Sequence, residues 1–135
     1  MSYPLSAIAG IGPAMADRLK AIGIRTTGKL LDAAKSAKDR KEFAQKLGVS
    51  ERTVLNWANL ADRMRIKGVR EPYAVLLKDA GVDTVRELKY RNPGKLAEAM
   101  NKANREHKRV RLLPSEKSIA RWIEAAKKLD PKIRY

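Results

Sequence analysis

Apolar residues along this chain recur every three or four positions rather than every second one. Two stripes are clear: Val54, Trp57, Ala58 and Ala61, then Ile119, Trp122, Ile123 and Ala126. That period places each set on one face of a helix, while runs of β-branched residues are missing. Local start and stop signals agree with this period. Pro13 after Gly12 and Pro93 after Asn92 fit a first helical position, where the missing N–H would have no partner anyway. Ser50 and Ser115 fit N-caps, and Thr84 with Glu87 three residues later reads as a capping box. Gly23, Gly48 and Gly81 fit helix ends. The pattern predicts helices near 13–22, 27–36, 39–47, 51–66, 71–80, 85–91, 94–106 and 116–128, with a short helical turn at 4–8. The expected fold class is all-α.

An internal repeat organises these elements. Gly10-Ile11 pairs with Gly68-Val69, Leu19-Lys20 with Leu77-Lys78, Gly23-Ile24 with Gly81-Val82, Thr26 with Thr84, and Leu30 with Leu88. All share an offset of 58 residues. Trp57 and Trp122 follow in equivalent stripes at an offset of 65, so the second copy carries about seven extra residues between Leu88 and Ser115. The expected units are 1–66 and 67–135. Neither holds many large apolar residues, so the two are expected to pack together, with the helix at 51–66 serving both.

Composition narrows the chemistry. The chain has 135 residues, 44% hydrophobic and 33% charged, which allows a core and argues against disorder. Thirty Lys and Arg against 15 Asp and Glu give a net charge of +15. So much self-repulsion points to a polyanionic partner: nucleic acid first, an anionic membrane surface or an acidic protein otherwise. No cysteine and a single histidine, His107, exclude disulfides, thiolate sites and multi-histidine metal sites. No segment approaches a membrane span, and Met1-Ser2-Tyr3-Pro4-Leu5 does not begin a signal peptide, so a cytoplasmic location is expected, nucleoid-associated if the protein binds DNA. The acidic residues are scattered among Lys and Arg with no nucleophile–base pair, so the expectation is a non-enzyme without a cofactor.

The segment from Ile8 to Leu19 carries the most specific signal. Gly10 and Gly12 permit a tight turn and a close approach, Ile11 can plug the core between them, and a helix starts at Pro13. Backbone N–H groups at such a helix start attract an anion, and a phosphate oxygen fits. Contacts of this kind fix position without reading base sequence.

These residues resemble the helix-hairpin-helix motif, in which an apolar-x-Gly-apolar-Gly string precedes a helix carrying Ala and Leu. The wider string also resembles a bacterial family of tandem helix-hairpin-helix domains classed as of unknown function. The resemblance rests on Ser6-Ala7-Ile8, Gly10 to Ala14, Gly23 to Thr27, Met64 to Val69, Ala80 to Val85, Arg91-Asn92-Pro93, and Leu113 to Lys117 before Trp122-Ile123. It implies a compact, all-helical tandem fold and contact with the DNA backbone. It also implies that carbonyls around Ile8, Gly10 and Ile11 can hold a monovalent cation at the Gly10–Gly12 hairpin.

The second copy departs from the motif, with Arg70 at the place of Gly12 and Glu71 at that of Pro13. A bulky Arg70 is expected to strain the turn and Glu71 to repel phosphate, although Arg70 can itself reach a phosphate. The first hairpin is therefore expected to be the better site and the second partly structural. The candidate nucleic-acid-binding residues are Gly10, Ile11, Gly12 and Ala14, with Arg18 and Lys20 on the next helix. Lys67, Gly68 and Arg70 are their counterparts in the second copy. Lys102, Arg105, Lys108, Arg109 and Arg111 form a basic stretch that reads as a flexible arm or a helix end following the DNA backbone. Trp57 and Trp122 are expected in the core rather than stacked on bases. The expected partner is duplex DNA, bound with little sequence preference. A helical protein-interaction adaptor and an RNA- or ribosome-associated basic protein remain alternatives.

Overall fold

A computed structural model describes residues 2–8 and 10–135. Its described residues form eight α-helices after a short 3-10 turn, Leu5–Ala7. In order these are α1 (Pro13–Ala21), α2 (Thr27–Ala33), α3 (Ala37–Leu47), α4 (Glu51–Arg63), α5 (Glu71–Asp79), α6 (Val85–Lys89), α7 (Pro93–His107) and α8 (Glu116–Lys128). No strand is present among the described residues. The nearest approach is an isolated antiparallel bridge between Pro4 and Thr26.

Side-chain caps set most of these boundaries. Thr26, Ser36, Ser50, Thr84, Asn92 and Ser115 each accept the backbone N–H three residues on, opening α2, α3, α4, α6, α7 and α8. Thr84 and Glu87 complete the reciprocal capping box. Ser36 starts α3 two residues earlier than the apolar period suggests. Gly48 closes α3 in the left-handed conformation at φ 68°. Helix α4 stops at Arg63, short of the expected Ile66, because the chain tightens into a turn with the Ile66 amide on the Arg63 carbonyl.

The chain divides into two compact units, Met1–Asp62 with Pro131–Tyr135, and Arg63–Asp130. In the first unit the amino-terminal segment is pinned to the start of α2. The Thr27 amide donates to the Tyr3 carbonyl at 2.8 Å, and the Tyr3 amide donates to Thr27 Oγ1 at 2.9 Å. The final residues return to the same unit. Arg40 is buried, and its Nη1 donates to the Ala34 and Lys35 carbonyls while Nη2 donates to the Arg134 carbonyl. Tyr135 donates its hydroxyl to Asn59 Oδ1 at 2.6 Å. These side chains satisfy orphan carbonyls at the end of α2 and hold the tail in place.

In the second unit α8 packs on α6 and α7, and α5 packs on α7. The apolar stripe of α8, Ile119, Trp122, Ile123 and Ala126, is buried as its spacing requires. Arg63 is 2% exposed and bonds through Nε to the Ala74 carbonyl and through Nη1 to the Asp83 carbonyl and carboxylate. Its charge is thus spent on the fold, as is that of Arg40.

Candidate functional site

Each unit contains a glycine turn that leads into a helix, and the two turns share one backbone conformation. Gly10 has φ 93° and Gly68 has φ 91°, a region that L side chains rarely adopt. One residue later, buried Ile11 and Val69 donate their amides back to the Ile8 and Ile66 carbonyls at 3.2 and 3.0 Å. Then Gly12 and Arg70 take extended N-cap geometry, φ −78° and −90°, each with ψ 176°. Their carbonyls receive the Ala16 and Ala74 amides at 2.9 and 2.8 Å. The expectation that Arg70 would strain the turn is therefore corrected, because any residue adopts that conformation. Only Gly10 and Gly68 need to be glycine. Ile11 is also corrected as a contact residue, since its side chain is buried and its amide is already bonded to Ile8. Ala9 of the motif lies outside the described residues.

The two helices that follow these turns are unlike the rest. Neither Gly12 nor Arg70 places a side-chain hydrogen bond on its helix, whereas the other six helix starts carry one. At α1 the amides of Gly12, Ala14 and Met15 have no acceptor among the described residues, and Gly12, Pro13 and Ala14 are exposed. These amides carry the positive end of the helix dipole, with no acidic residue in the first turn to answer it. At α5 the first turn contains Glu71, which engages other residues of the chain. The two starts share geometry but differ in charge.

The basic candidates fall into distinct places. Arg18 and Lys20 occupy the last turn of α1, roughly 8–10 Å along the axis from its open start. Arg18 Nη2 would stand 3.7 Å from a Cβ on Gly48, at the carboxyl end of α3, where the helix dipole favours a cation. Lys67, Gly68 and Arg70 are exposed together at the second turn. Lys102 and Arg105 are exposed on α7. Lys102 borders a cleft of about 280 Å³ whose lining also includes Asp79 and Glu106.

The stretch after α7 is a fixed turn rather than a flexible arm. Lys108 caps the helix with φ 52°. Asn104 Oδ1 accepts the Arg109 and Val110 amides at 2.9 and 3.0 Å, and its Nδ2 donates to the Val110 carbonyl at 2.9 Å. Arg109 Nε lies 2.8 Å from Asp79 Oδ2, a hydrogen bond that raises the guanidinium pKa above its ordinary value. Asp79 thus answers the charge of Arg109, while Lys108 and Arg111 remain exposed on the turn. Sequence reasoning found the charges here but missed Asn104, a single polar residue whose role depends on a loop it closes.

The model of a family described as domain of unknown function, DUF4332, matches residues 9–129. The chain belongs to this family. The DUF4332 match spans both glycine turns and both tryptophan stripes. No curated protein and no solved structure matches the chain. Among the described residues no group of three or more His, Asp or Glu could hold a metal, and no helix is long and apolar enough to cross a membrane.

Proposed function

We propose that this DUF4332 protein is a non-enzymatic, helix-hairpin-helix type binder of the nucleic-acid backbone, with duplex DNA as its partner and little preference for base sequence. The observation that carries the reading is the open start of α1. Three amides, an exposed turn and an unanswered helix dipole converge there in a chain of net charge +15. A phosphate oxygen supplies both the acceptors and the negative charge. The second turn has the same backbone form, so Lys67, Gly68 and Arg70 make a second contact of this kind, weakened by Glu71. Exposed Lys and Arg side chains, including Lys20, Arg105, Lys108 and Arg111, add sequence-independent attraction. Among the described residues the exposed large apolar ones are Ile22, Tyr90, Leu112 and Tyr135, little surface for an adaptor that takes a partner helix.

The test is a titration of the whole protein with short labelled duplexes of two unrelated sequences, and with duplex RNA, across a salt series. Both DNAs should bind alike, and log affinity should fall linearly with log salt by about 0.9 for each phosphate neutralised. Tighter binding of duplex RNA would replace DNA by RNA as the partner. No binding at low salt would remove nucleic acid from the reading.

A further inference from the structure

We infer that the indole N–H of Trp57, and its counterpart on Trp122, is a direct donor to the phosphate oxygen held at each glycine turn. This rests on the phosphate-binding reading above and extends it from the main chain to a side chain. Trp57 and Trp122 are each 6% exposed, more than nine-tenths buried in the apolar stripes of α4 and α8. Yet each turns its one polar atom to the glycine of its own unit. Nε1 of Trp57 stands 4.0 Å from where a Cβ on Gly10 would lie, and Nε1 of Trp122 stands 3.3 Å from the same place on Gly68. Two tryptophans at different sequence offsets from their glycines thus converge on one geometry.

Packing alone does not explain that convergence. A leucine or phenylalanine fills an apolar stripe without bringing a donor that must be satisfied. A buried indole N–H nearly always finds a partner. Neither indole nitrogen has an acceptor among the described residues, and no side-chain nitrogen sealed from solvent is left unpaired. Each N–H therefore opens outward beside the turn, where the oxyanion is expected. In the first unit the turn beside it leads into the Gly12, Ala14 and Met15 amides, which have no acceptor among the described residues. The indole N–H is a rigid, uncharged donor, so it adds affinity without adding to the salt dependence. Glycine at 10 and 68 serves two ends here: it allows the positive φ, and it leaves no Cβ between the indole and the turn.

Two measurements on the full chain test this with a short DNA duplex as the probe. The first follows the two indole N–H resonances of the 15N-labelled wild-type protein during titration. Both should move downfield and exchange more slowly as a charged acceptor is gained. The second compares Trp57→Phe and Trp122→Phe with wild type. Trp57→Phe should weaken binding about tenfold, the scale of one hydrogen bond to a charged group, with an unchanged salt slope. Trp122→Phe should weaken it less, because Glu71 opposes the anion at that turn. If a substitution disturbs folding, the wild-type resonances decide alone. Duplex binding with both indole signals unmoved overturns this inference and leaves the main-chain phosphate reading intact. An absence of any duplex binding by the wild type overturns both.

Discussion

Gly10 and Gly12 look alike in the motif but do different work. Gly10 is held at φ 93°, whereas Gly12 is extended, with nothing within 4 Å of an added Cβ. Gly10→Ala and Gly68→Ala should therefore each destabilise the protein by about 1–2 kcal/mol, read by thermal denaturation. Gly68→Ala should cost more, since its new methyl would lie 3.3 Å from Trp122 Nε1. Gly12→Asp should do the reverse. An aspartate there caps α1 and answers its dipole, raising stability by about 0.5 kcal/mol while occupying the amides meant for phosphate. A one-letter pattern does not give φ, so both glycines read as conformational. The repeat nevertheless held the clue: Arg70 sits where Gly12 does, and a position that accepts arginine does not require glycine.

At the scale of elements, the helices were legible because their signals are local. A cap, a proline or a closing glycine lies within three residues of the boundary it sets, as Thr84 and Glu87 show at α6. The long-range ties were not legible. Nothing near Arg40 announces that it binds the Arg134 carbonyl, and nothing near Thr27 announces Tyr3. The basic turn after α7 lies between these cases. Its charges were plain, but its order depends on Asn104 bridging to Arg109 and Val110. Asn104→Ala should cost about 1–3 kcal/mol, and amide hydrogen exchange at Arg109 and Val110 should speed up sharply. Unchanged exchange there would mean that the turn is held by something else, such as the Arg109–Asp79 pair.

For the whole molecule, the excess charge and the repeated turn suggest the same partner by separate routes. The positive charge draws any polyanion, and the open helix starts favour an oxygen at a defined place. Not every cation contributes. Arg40 and Arg63 are buried in their units, and Asp79 engages Arg109. The number of phosphates in the salt slope should therefore fall well short of the number of basic residues. The candidate site was legible in the sequence as a motif, but the tryptophans beside it were not. Their apolar stripes fully account for burial and say nothing about where the indole nitrogen points.

The central claim is that the open start of α1 holds a phosphate oxygen, over and above the general attraction of a cationic surface. The most direct measurement compares the duplex DNA affinity of wild type, Gly12→Asp and Gln45→Glu at one salt concentration. Gln45 is exposed on α3 of the same unit, and its replacement adds the same single negative charge on a helix other than α1. Gly12→Asp should lose about tenfold or more while remaining folded, and Gln45→Glu less than about twofold. Equal losses in the two variants would contradict the account, leaving only a diffuse positive surface.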